Sequence, residues 1–244
     1  TIGLTGGAGT LDLRNSELAN ILAAQTLLIG DSAAGTGLVT VDDFDYSGAA
    51  YALGLFGGTI TVRDLFQGAN ALTLTALDDD ITIVQDSLDL APGSQLTAAQ
   101  NIYLIPEDPD TSIGISGGLG DFNIDDVELA LIAPGDSLII GDAASGNGVV
   151  TVDGLDITLA DYDLEINGAS ITTTDLISGG NALRLNALNG DVVMNRDDVQ
   201  LAAGTSINAT GDIYLVPVDP TISIGFSGGV GTFNVSDIEI GFFK

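Results

Sequence analysis

The chain has 244 residues, 45% of them apolar, with 34 acidic and 5 basic side chains and a formal net charge of −29. That balance excludes nucleic-acid binding led by phosphate contacts, and attraction to anionic membrane surfaces, because both need cations. Cysteine and histidine are absent, which excludes thiolate–metal sites, disulfides, and Ser–His–Asp or Cys–His nucleophiles.

The first words of the chain are its repeat signature. Ile2-Gly3-Leu4-Thr5-Gly6-Gly7-Ala8-Gly9 returns as Ile113-Gly114-Ile115-Ser116-Gly117-Gly118-Leu119-Gly120 and as Ile224-Gly225-Phe226-Ser227-Gly228-Gly229-Val230-Gly231, with the sequence number advancing by 111 each time. Asn70-Ala71-Leu72 and Asn181-Ala182-Leu183 keep the same spacing, as do Ile102-Tyr103-Leu104 and Ile213-Tyr214-Leu215. A fixed long period without gaps marks a repeat array. The expected organisation is one copy over residues 1–111, a second over 112–222 and the start of a third over 223–244, in one continuous rod. Such a chain is expected to be an excerpt of a longer polypeptide.

Residues 18–28 are the one stretch with helical temptation, and their copy at 129–139 argues against it through Pro134-Gly135. Elsewhere the apolar period is two. Asp121-Phe122-Asn123-Ile124-Asp125, Val150-Thr151-Val152-Asp153, residues 155–159, Leu183-Arg184-Leu185-Asn186 and residues 222–226 each read as a short strand with one buried face. Turn residues separate them at 133–136, 145–148, 178–181, 189–191 and 202–205. Within a copy, residues 183–187, 191–195, 199–204 and 207–215 vary one phrase, apolar–x–apolar followed by a small residue and Gly or Asn. This finer echo predicts an all-β parallel β-helix, a solenoid of roughly 20–25 residues per coil, over two sandwich domains in tandem. Stacked coils would carry ladders of Ile, Leu and Val inside, with Thr, Asn and Asp outside and Asn columns bonded coil to coil. With rungs about 4.8 Å apart, the rod would be on the order of 50 Å long.

The acids repeat where the bases do not. Asp31/Asp142, Asp42/Asp153, Asp45/Asp156, Asp64/Asp175, Asp80/Asp191, Asp86/Asp197 and Asp108/Asp219 are kept at the long period, and Glu17/Glu128/Glu239 is kept three times. Two readings stand. Calcium takes six to eight oxygens from carboxylates and turn carbonyls. Asp42, Asp45, Asp153 and Asp156, where a strand meets a turn, are the candidate metal ligands, with calcium the only cofactor implied and none required. Alternatively these acids cap turns by accepting backbone N–H bonds. Gly117-Gly118-Leu119-Gly120-Asp121 departs from the calcium nonapeptide both in the place of its Asp and in its spacing. Arg14, Arg63, Arg184 and Arg196 are matched by Asp125, Thr174, Thr73 and Gln85, so no basic position is kept; a catalytic site duplicated in each copy is not expected, and the chain is read as no enzyme.

Residues 181–187, residues 202–215 and Ser137-Leu138-Ile139-Ile140-Gly141-Asp142 resemble the shafts of filamentous-haemagglutinin-like bacterial exoproteins. The resemblance implies a right-handed parallel β-helix at the cell surface or outside the cell, serving as a structural shaft in a fibre, an adhesin or a biofilm matrix. Its partners would be adjacent repeats, end to end, and a host or cell-surface glycan or matrix, with no nucleic acid and no membrane insertion. The alternative function is an extracellular glycan-binding module assisted by calcium.

Overall fold

The computed structural model describes residues 1–18, 20–23 and 25–244. Strands dominate and pair in parallel, as a β-helix requires. The chain forms two compact units, residues 1–107 with 127–138, and residues 108–126 with 139–244. The division crosses the written period, since residues 127–138 belong to the second copy by sequence and to the first unit by contact.

In the first unit one sheet holds Ile2–Thr5, Leu38–Asp45, Thr59–Phe66, Ile81–Val84 and Ile102–Ile105, with Leu11–Leu13 at its outer edge. The other holds Thr26–Gly30, Ala52–Gly57, Leu72–Ala76, Gln95–Ala98 and Ile132–Pro134. From residue 26 onward the chain alternates between the two, so each coil adds one rung to each sheet. Val39, Ile60, Ile81 and Ile102 stack in register at equal steps along the sequence, and all four are buried. Val41, Val62, Ile83 and Leu104 form the neighbouring column. Thr40, Thr61 and Thr82 lie between these columns and are half-buried on the outer face. A coil cannot cover its own apolar face, but the next coil can, and each Ile or Leu so covered contributes about 1.5–3 kcal/mol.

The second unit repeats this plan. Ile113–Ser116, Val150–Asp153, Ile171–Thr174, Val192–Asn195 and Ile213–Val216 lie side by side, with Phe122–Ile124 at the edge. Val150, Ile171, Val192 and Ile213 advance by the same equal step as the column of the first unit. In the other sheet Leu164 pairs with Leu183 and Leu185 with Ile207, so the coil length there varies slightly. One excursion per unit is longer, from Ile2 to Val39 and from Ile113 to Val150.

The expected Asn columns form on the second of these sheets. Asn186 donates its amide to Asn167 Oδ1 at 2.8 Å, and Asn208 donates to Asn186 Oδ1 at 2.7 Å. The repeated Asn-Ala-Leu word has its own role. Asn181 Nδ2 donates to the carbonyls of Ile157 and Ala160 at 2.8 and 2.9 Å, and Asn70 does the same for Tyr46 and Ala49 at 3.1 and 3.2 Å. Each brackets the corner of the preceding coil.

The glycine word builds a turn that period counting does not reveal. Ile113 pairs with Phe122, so two parallel neighbours are joined within nine residues. Parallel strands ordinarily need a crossover of a dozen residues or more. This shorter route works only with bare backbone: a Cβ on Gly120 would lie 2.1 Å from Gly114 N, and one on Gly118 would lie 2.0 Å from Thr151 O. Ser116 enters the turn with φ 59°, as Thr5 does at 61° and Ser227 at 54°. The hydroxyl of Ser112 closes the loop by accepting the Asp121 N–H at 3.0 Å.

Three expectations need correction. Residues 155–159 are not a strand but a single bridge from Asp156 to Ile177 that runs into a turn. Gly154, at φ 73°, ends the preceding strand there, whereas Leu38–Asp45 in the first copy passes through a left-handed Asp43 and continues. Residues 133–136 are not wholly turn, because Ile132–Pro134 is a strand at a sheet edge, where proline's missing N–H costs nothing. Single helical turns occur at Asn15–Leu18, Asp126–Leu129 and Asp237–Ile240. The last is opened by a capping box between Ser236 and Glu239, a signal readable in the sequence. Residues 18–28 hold the end of the first such turn and the start of Thr26–Gly30; residues 19 and 24 lie outside the described residues. Among the described residues no helix is long and apolar enough to cross a membrane.

Candidate functional site

Most of the repeated aspartates make backbone bonds. Asp45 Oδ1 accepts the Ser47 N–H at 2.9 Å, and Asp156 Oδ1 accepts the Thr158 N–H at 2.9 Å. Asp31, Asp142, Asp108 and Asp219 make the same two-residue turn, onto Ala33, Ala144, Asp110 and Thr221. Asp80 and Asp191 act between coils, accepting from the N–H of Asn101 and of Asp212, both at 2.8 Å. Asp64 and Asp175 take the left-handed conformation at φ 49° and 50°, where a short polar side chain is tolerated. Asp42 and Asp153 contribute carbonyls instead, which accept the N–H of Gly6 at 3.1 Å and of Gly117 at 2.9 Å.

Of the four candidate metal ligands, Asp45 and Asp156 are therefore turn caps, and Asp42 and Asp153 anchor the glycine loops. Asp42 and Asp45 lie in one unit, Asp153 and Asp156 in the other. In each pair one carboxylate oxygen, Oδ1 of Asp45 or of Asp156, accepts a backbone N–H. Among the described residues, no group of three or more His, Cys, Asp or Glu side chains is arranged to hold a metal ion.

These bonds carry a pH dependence. The Ser145 hydroxyl and the Ala144 N–H favour the ionised Asp142 and hold its carboxyl below the usual 3.8. A depressed folded-state pKa contributes stability that is fully present above the unfolded value and lost as pH falls through the folded one. Asp142→Asn should therefore melt below wild type at pH 7, and the gap should close below pH 3.8. Thermal melts of both proteins across this range check it.

The arginines are also engaged. Arg63 Nη1 lies 2.5 Å from Glu107 Oε1, Arg184 pairs with Asp163 at 3.4 Å, and Arg14 stands 4.0 Å from Asp12. Arg196 is buried and donates Nη1 to the Leu176 carbonyl at 2.9 Å. Burial pushes its pKa down, against the pull of Asp198, Asp175 and Glu239.

One concave feature of the first unit is a groove of about 440 Å³. It is walled by Phe66-Gln67-Gly68 of one coil, residues 85–90 of the next, and Asp45 with Ser47 of the coil before. Val62, Leu72, Ile83 and Leu88 make its apolar floor. Asp45, Asp64, Asp86 and Asp89 give it acceptors. The Asp64 carboxyl is pushed up, first by burial and then by the charge of Glu107. Gln67 follows buried Leu65 and exposed Phe66 in the strand alternation, so it points inward; it is 5% exposed. Its Nε2 has no hydrogen-bond partner among the described residues, and neither does the buried hydroxyl of Tyr46 on the adjoining coil. Burial raises the pKa of that phenol.

Sequence reasoning missed this groove. Gln67 becomes Ser178 and Gln85 becomes Arg196 in the second copy, so comparison by period passes over both. A glutamine at an inward position, with aliphatic residues two before and on the next coil, was the available signal. Compared with known proteins, the chain matches no family model, no curated protein and no solved structure.

Proposed function

We propose that this chain is a non-catalytic shaft segment of a large bacterial fibre, secreted or anchored at the cell surface, whose work is to span distance. The observation that carries this reading is the in-register aliphatic column, Val39-Ile60-Ile81-Ile102 in one unit and Val150-Ile171-Val192-Ile213 in the other. It specifies a stackable coil and spends almost every repeated residue on stacking. The kept acids hold turns, the kept asparagines hold corners, and the arginines are tied to carboxylates or a carbonyl. Surface charge of one sign keeps such bodies from adhering side by side. Adjacent repeats, of this chain or of neighbours end to end, are the partners this reading requires, and the matrix or cell surface is where it places them.

Negative-stain electron microscopy of the purified chain, with calcium and with chelator, tests the proposal. Thin uniform rods or end-to-end fibres in both conditions are expected. Compact globular particles would overturn it, and rods that collapse in chelator would restore calcium to the structure.

A further inference from the structure

We propose that the groove of the first unit binds a neutral, hydroxyl-rich ring, a saccharide unit, with Gln67 as its buried anchor. This goes beyond the shaft reading and does not depend on it.

The buried Nε2 of Gln67 is a donor without an acceptor. Leaving such a group unmet costs about 1–3 kcal/mol, so an entering ligand gains by supplying an oxygen. The carboxylates of the lining, which stand beside Ser47, Gln85 and Ser87, ask for the opposite. Ionised carboxylates only accept, and Asp45, Asp64 and Asp89 face the same space. A metal cation or an amine would answer the carboxylates and leave the Gln67 donor unmet. An anion would answer Gln67 and be repelled by the carboxylates. A hydroxyl does both, since it donates once and accepts twice. Phe66, half exposed at the rim, offers a flat apolar surface to the C–H face of a sugar ring. The volume lies within the range of small-molecule sites.

The second copy supplies an internal contrast. Its matching residues are Ile177 for Phe66, Ser178 for Gln67 and Arg196 for Gln85. The aromatic face is gone, and a hydroxyl replaces the longer amide. A guanidinium is lodged against the Leu176 carbonyl where the first copy carries a shorter neutral side chain. Binding therefore belongs to the first unit.

The test is saturation-transfer NMR on the full chain with cellobiose, maltose, lactose and N,N′-diacetylchitobiose. The variants are Gln67→Leu and Gln85→Arg, each first shown to retain the wild-type circular dichroism spectrum. Ring-proton saturation is expected for at least one disaccharide, weakened about tenfold in affinity by Gln67→Leu, the loss of one buried hydrogen bond, and abolished by Gln85→Arg. Absence of saturation with all four sugars overturns the proposal, as does binding that either variant leaves unchanged. Electron microscopy of the same sample reads the shaft proposal separately, so the failure of one does not imply the failure of the other.

Discussion

Replacing Gly120 by alanine is expected to destabilise the second unit by about 3 kcal/mol, the upper part of the range for steric overpacking. The new Cβ would stand 2.1 Å from Gly114 N and 2.3 Å from Ile113 C. Both are backbone atoms of the adjacent strand, so no side chain can swing away to relieve the contact. The Ile113–Ser116 and Phe122–Ile124 strands must separate, and Phe122, fully buried, must leave its place. Gly180→Ala is the control: nothing lies within 4 Å of its would-be Cβ, and a change there should stay within about 0.5 kcal/mol. Urea denaturation followed by circular dichroism measures both, and hydrogen exchange locates the loss. Protection should fall first across residues 113–124 in Gly120→Ala. Equal stability of the two variants would mean that the nine-residue turn is not held as tightly as the backbone spacing demands.

The parts of the fold that the sequence disclosed are those governed by burial. Alternation at Val150, Val152, Leu183 and Leu185 marks inward positions directly, and all four are buried. Coil length was legible because the inward columns recur at nearly constant steps, from Val150 to Ile171 to Val192 on one sheet and from Leu164 to Leu183 on the other. What stayed hidden depends on backbone dihedrals and neighbours across coils. Nothing in residues 155–159 tells that Gly154 takes φ 73° and ends the strand. The pairing of Ile113 with Phe122 was hidden because it joins neighbours nine residues apart within a single copy, a spacing that matches neither the long period nor the coil. The acids were half legible. Their retention showed that they matter, but turn-capping and calcium-binding aspartates look alike in sequence, and the bonds from the N–H of Ser47 and Thr158 at 2.9 Å appear only once the coil is folded. Gln67 was invisible to comparison by period because it is a place where the copies differ.

The asparagine column asks whether a polar ladder stabilises a coil or specifies it. Asn186→Val removes the acceptor of Asn208 and the donor to Asn167 Oδ1. Asn167 is fully buried, so its oxygen would be left without that donor and without water. The single change should cost about 2 kcal/mol, the penalty for an unsatisfied buried polar group. Replacing the whole column, Asn167, Asn186 and Asn208 together, should recover most of that loss. No orphaned asparagine then remains along the column; Glu165 and Ser206, which lose amide donors, are only half-buried and can turn to water, and valine suits an outward position on a strand. The recovery would carry its own defect. A valine column slides as easily as the Val and Ile columns beside it, whereas each Asn bonds its neighbour only in register, and a slip of one residue would turn every inward side chain outward. The triple variant is therefore expected to lie between the single variant and wild type in denaturation midpoint, close to wild type, while losing uniqueness, with broadened or doubled amide signals for residues 163–168, 183–187 and 206–209 in two-dimensional NMR. A triple variant as unstable as the single one would make the ladder a net stabiliser. A triple variant with sharp single signals would leave register to the apolar columns and the corner brackets of Asn70 and Asn181.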